Sequence, residues 1–150
     1  MKMILILLFL ISFNINGVDI DFVRTNYTAS IKDKQLCSRM ISELKKKNDR
    51  PINLGYLGGL QTIWANHVFN PINKLKTFKE GKNNIEKAIK LDPENVELRF
   101  IRLSIQKNAP SFLGYNSNIN SDKEFIKSNQ KTISSAIVRN NINQLIAVGD

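Results

Sequence analysis

Apolar residues recur along this chain at spacings of three and four. Ile20, Val23, Tyr27 and Ile31 form a first stripe, and Leu36, Met40, Ile41 and Leu44 a second. Leu57, Leu60, Trp64 and Val68 form a third, and Leu75, Phe78, Ile85, Ala88 and Ile89 a fourth. That period places each set on one face of a helix. No segment sustains the period-two alternation of a strand, so the pattern predicts an all-α chain of about six helices. Pro51, Pro71 and Pro93 each stand at or just beyond a capping residue, in "NDRP", "NP" and "DP". There the fixed φ and missing N–H of proline suit a first helical turn. Each therefore reads as a helix start, with Asp92 capping the fifth helix. The intervals between them hold one helix and a short turn, which implies consecutive antiparallel hairpins. Ser121 and Glu124 form an S-x-x-E capping box that opens a helix carrying Phe125, Ile126, Ile133 and Ile137. Residues 108–120 read as the one substantial loop, and the pattern after Arg139 is too short to assign.

The N-terminus departs from this pattern. Lys2 precedes an apolar run from Met3 to Phe13, followed by small and polar residues, which is the layout of a secretory signal peptide. Eleven residues at about 1.5 Å rise give roughly 16 Å of helix, about half a bilayer core, so export is expected rather than a permanent anchor. Residues 1–17 are expected to be the signal and 18–150 a single helical domain, periplasmic or secreted, without stable membrane insertion. The single cysteine, Cys37, cannot form an internal disulfide and lies on the second apolar stripe, which predicts an inert buried thiol.

The formal charge of +9 raises the question of nucleic acid, but Lys outnumbers Arg 16 to 6 and the charges are scattered. A solvated basic surface accounts for them, and no nucleic-acid partner is expected. Lys45, Lys46 and Lys47 are expected to close the second helix, where cations suit the exposed carbonyls. Gly55, Gly58 and Gly59 fall inside the third helix at a cost of about 1 kcal/mol each against alanine, which predicts a close approach by another helix. Trp64 and His67 read as core and rim. A lone histidine without a second ligand at metal spacing gives no metal site. Asp92, Glu94 and Glu97 are explained by the cap and the helix dipole rather than by acid–base chemistry. No phosphate loop, zinc pattern or nucleophile motif is present, so neither enzymatic activity nor a cofactor is expected.

Within "KAIKLDPENVELRFIRLSIQ", the segment "AIKLDPENVE" resembles the end of a tetratricopeptide repeat, in which an alanine of the second helix precedes by five residues the proline opening the next repeat. Ala88 and Pro93 have that spacing. Carried backwards, the same pattern puts its small residue on Gly81 and its bulky one on Ile85. The signature positions of its first helix fall on Ala65, Val68, Phe69 and Ile72, of which only Val68 suits, and no second copy lies 34 residues away. The resemblance covers about a fifth of the chain and implies tetratricopeptide-like hairpins rather than a regular superhelix. The chain also looks like small exported helical proteins of unknown role that carry a block similar to "ENVELRFIRLSIQKNAPSFLGY".

On the fifth helix, Val96, Phe100 and Leu103 face one side, and Leu98, Ile101 and Ile105 the other, so it should be sandwiched. Arg99, Arg102 and Gln106 occupy the polar strip between. Two readings follow for these three residues. As a binding site, their guanidinium forks suit a carboxylate such as a peptide C-terminus, in the kind of groove that the resemblance implies. As structural groups, they pair with the chain's own acids, Glu80, Glu86, Asp122 or Glu124, because an unpaired buried charge is costly. Phe112 and Tyr115 in the following loop either cap the core or meet a ligand. The expected function is a protein- or peptide-binding or scaffolding module. The rival is a small enzyme or small-molecule carrier with a site between helices, which an enclosed cavity of converging polar groups would favour over an open groove.

Overall fold

A computed structural model describes residues 19–147; the expected signal segment lies outside the described residues. The chain is helical throughout this range, with no strand among the described residues. Among the described residues seven α-helices follow one another: α1 (Ile20–Asn26), α2 (Lys34–Lys46), α3 (Pro51–Trp64), α4 (Pro71–Leu91), α5 (Val96–Asn108), α6 (Ile119–Asn129) and α7 (Ala136–Ala147). Single 3-10 turns occupy Ala29–Ile31, Ala65–His67, Ser111–Leu113 and Gln130–Thr132. No helix among the described residues is long and apolar enough to cross a membrane.

The centre is α3. Every residue from Ile52 to Ile63 is buried, the polar Asn53, Gln61 and Thr62 included, so α3 is covered on all sides. Its glycines divide by neighbour. Gly58 meets α4 backbone to backbone: a Cβ there would stand 2.6 Å from the carbonyl oxygen of Gly81 and 2.8 Å from the amide nitrogen of Ile85. A Cβ on Gly81 would in turn stand 2.7 Å from the amide of Thr62. Gly55 and Gly59 instead make room for side chains, those of Leu98 and Tyr27. Around α3 the buried apolar residues form one cluster running from Val23 to Ile142. It includes the Cys37 thiol, whose pKa burial pushes up to about 11.

Several helix starts follow cap chemistry, but others depart from the sequence pattern, and α3 begins at Pro51 behind Arg50 with no side-chain cap bond. Asn70 caps α4 as expected, accepting from the amides of Ile72 and Asn73 ahead of Pro71. At α5, however, the cap is Asn95 and not Asp92: the Asn95 carboxamide oxygen accepts from the amides of Glu97 and Leu98. Asp92 closes α4 and holds the Asn95 side chain at 2.9 Å, so Pro93 lies in the turn and not in the helix. Ser121 is no cap either. Its hydroxyl donates to the carbonyl of Asn118 from inside α6, a bond that satisfies it within the helix. Finally, the segment carrying Ile133 and Ile137 is not a continuation of α6. Thr132 donates to the Asn129 carbonyl and Ser135 accepts from the Val138 amide, and these local bonds end one helix and begin the next.

Candidate functional site

Arg99, Arg102 and Gln106 lie on α5 and face α6. Arg102 and Gln106 are 4% and 2% exposed. Arg102 forks onto Asp122 of α6, Nε to Oδ2 and Nη2 to Oδ1, both at 2.7 Å, while its Nη1 reaches Glu86 of α4 at 2.9 Å. Burial is the largest single influence and disfavours the charge, but the bonds to Asp122 and the nearby charges of Asp122 and Glu86 together outweigh it and hold the Arg102 pKa above its usual value. Glu86 also accepts from the Tyr115 hydroxyl at 2.6 Å. Burial, and then that bond, raise the Tyr115 pKa well above the ordinary phenol value. Gln106 donates to the Asn118 side chain at 3.2 Å and accepts from the Asn118 amide at 3.1 Å, fixing the entry to α6. Arg99 reaches the Pro93 carbonyl at 3.1 Å, only loosely approaches Asp122 at 3.4 Å, and stacks 4.9 Å over the Phe125 ring. The three residues are thus brought together, and each bonds polar groups of the chain itself, although the buried Nε of Arg99 has no hydrogen-bond partner among the described residues. Asp122 and Glu86 are two of the four acids that the sequence offered as internal partners.

A second buried network ties α1 to α5. Arg24 forks onto Glu97 with both bonds at 2.7 Å, and the Tyr56 hydroxyl donates to the same carboxylate at 2.7 Å. The Glu97 bond is the main reason the Arg24 pKa lies above its usual value. His67 touches the Ser30 carbonyl at 3.1 Å and its ring faces Trp64 at 5.7 Å. Among the described residues no group of His, Cys, Asp or Glu is arranged to hold a metal ion.

The open concavity lies elsewhere. The C-terminal ends of α1, α3 and α5, the first two turns of α4, the turn after α5 and one face of α7 enclose a cleft of about 820 Å³. Buried Tyr27, Phe78 and Phe100 line its interior, and exposed Ile31, Leu75 and Phe112 line its mouth. Phe112 is 84% exposed. The 3-10 turn that carries it closes at Gly114, whose φ of 60° is a left-handed conformation that favours glycine. Four polar residues of the wall are turned to the backbone. Thr62, Ser104, Asn108 and Asn141 donate to the carbonyls of Gly59, Ile101, Ser104 and Arg24. Lys74 is the one charged residue of the lining. The walls therefore present mostly apolar surface, suited to hydrophobic side chains rather than to a polar substrate.

The sequence singled out Phe112 and Tyr115 together, and the structure separates them: Tyr115 is buried beside Phe78, while Phe112 stands at the cleft mouth. The cleft as a whole escapes a motif reading, because its walls come from six separate segments. Its one sequence signal is a large aromatic inside a polar loop, "SFLGY". No protein-family model, no curated protein and no solved structure matches the chain.

Proposed function

We propose that this chain is an exported helical module that binds a protein or peptide through the apolar cleft. The observation that carries the reading is the cleft of about 820 Å³ whose mouth is lined by exposed Ile31, Leu75 and Phe112. Contiguous exposed apolar surface around a concavity is the mark of a surface that a partner covers. The bonds of Arg102 to Asp122 support a structural part for the arginine strip, that of holding α6 onto α5, itself a wall of the cleft. In this reading α3 and α4 form an antiparallel, tetratricopeptide-like hairpin. Support comes from their close pairs, Gly55 with Ala88 and Gly58 with Ile85 and Gly81, which run in opposite directions along the two helices. Gly81, Ile85 and Ala88 are the positions at which the resemblance put its second-helix packing residues.

The test is fluorescence anisotropy with a labelled amphipathic peptide bearing leucine on one face and glutamine on the other. Phe112→Ser leaves the core untouched and should weaken binding by about 1.5–3 kcal/mol, the value of burying one such side chain, with no change in Tm. Undiminished binding to the folded variant would remove the cleft from the account.

A further inference from the structure

We infer that the segment received by this cleft is an amphipathic helix with an apolar face and acidic flanks. The inference rests on the peptide-binding reading above and adds the chemistry of the partner. The first observation is the extent of the apolar surface. It does not stop at the cleft mouth: Ile72, three residues before Leu75 and so on the same side of α4, is 78% exposed, and Phe69 just before the helix is fully exposed. A small ligand enclosed in the cleft leaves Ile72 and Phe69 in water. A helix lying along the first turns of α4, with its anchors at i, i+3, i+4 and i+7, covers them together with Leu75 and Phe112.

The second observation is charge. The cleft lining contains one cation, Lys74, and no acid. On α4, at 100° per residue, Lys79 projects between Leu75 and Ile72, while Lys74 and Lys76 lie on either side of them. None of these three lysines is in an ion pair among the described residues. The one acid in these turns, Glu80, is engaged by α3, accepting from the Gln61 side chain at 2.7 Å. An apolar surface bordered by unpaired cations complements a partner whose apolar face is bordered by carboxylates, and the formal charge, +9 for the whole sequence and +8 without Lys2, adds long-range attraction.

The experiment compares two labelled helical peptides with the same leucine face, one flanked by glutamate and the other by glutamine. The full mature chain is titrated by anisotropy at low salt. The glutamate peptide should bind about tenfold more tightly. That factor should fall toward one in a Lys74→Gln, Lys76→Gln, Lys79→Gln variant and at high ionic strength, where exposed charges are screened. Equal affinity for the two peptides, or a preference that survives the lysine substitutions, overturns the acidic-flank inference while leaving peptide binding intact. Binding of neither peptide overturns both readings. Vesicles of anionic phospholipid serve as the parallel arm: if they are bound and the peptides are not, the lysine-bordered apolar surface is a membrane contact.

Discussion

Arg102→Gln should cost this protein a large part of its stability. The Arg102 side chain is 5% exposed and that of Asp122 only 1%. The substitution removes both 2.7 Å bonds to the Asp122 carboxylate, and what remains is the Arg99 Nη1 at 3.4 Å, outside the range of a well-formed bond. Glu86 is less affected, because it is 40% exposed to water and keeps the Tyr115 hydroxyl. The loss therefore falls on one buried, uncompensated carboxylate, for which about 3–5 kcal/mol is expected, against a total of about 5–15 kcal/mol for a domain of this size. Arg99→Gln should cost about 1 kcal/mol or less, since that side chain is partly exposed and its ion pair is long. Replacing both buried partners, Arg102→Met with Asp122→Leu, should recover most of the loss, because the charges then left, Glu86 and Arg99, are partly exposed to water. Urea denaturation reads all three, as a shift of midpoint at constant slope. An Arg102→Gln midpoint within about 0.5 kcal/mol of the parent, the range of an ordinary surface change, would refute the reasoning.

Gly58→Ala should destabilise by about 2 kcal/mol: the gain of about 1 kcal/mol in helix propensity is outweighed because the new methyl meets the backbone of Gly81 and Ile85, which cannot rotate aside. A stabilised variant in thermal denaturation would show that α3 and α4 are not in backbone contact. Asn95→Ala should cost about 1 kcal/mol as the α5 cap is lost, and Asp92→Ala less, since it removes only the bond orienting Asn95; the reverse order would restore Asp92 as the cap. Burial is the first cause of raised pKa values at Tyr27, Tyr56, Tyr115 and Cys37. Folded values above unfolded ones mean that this stability is complete below about pH 9 and is lost as pH rises, for Cys37 between its ordinary 9.0 and about 11. The tyrosinate absorbance should therefore appear only together with loss of helicity, and its appearance near pH 10 in a still-folded chain would contradict the burial of the phenols.

Helical period and cap chemistry are local properties, and they are what the sequence makes legible. The stripes led by Leu36 and Leu75 locate α2 and α4, and Asn70 with Pro71 locates a helix start to the residue. Where two polar residues compete for one role, the pattern picks the wrong one: Asp92 and Asn95 both suit a cap, and the side-chain bond between them decides which amides are served. The break between α6 and α7 is missed for a related reason, since Ile133 and Ile137 keep the helical period across a segment whose hydroxyls bond the backbone instead. The arginine strip is visible as a strip. Its direction is not, because that depends on Asp122 and Glu86 arriving from two other helices. The cleft is furthest from legibility: apolar residues such as Phe78 and Phe100 look alike in sequence whether they meet another side chain or an open wall, and only the packing of six segments distinguishes the two.

The most direct test of the central claim is photo-crosslinking from within the apolar face of a bound peptide. A photoactivatable leucine analogue at the central anchor position, irradiated on the native chain and mapped by mass spectrometry, should place its adducts on Ile31, Leu75, Phe112 and Leu113 around the cleft mouth. Unlabelled peptide should compete them away. Adducts clustered instead beside Arg99 and Phe125, or spread over the surface without competition, would contradict the cleft as the binding site.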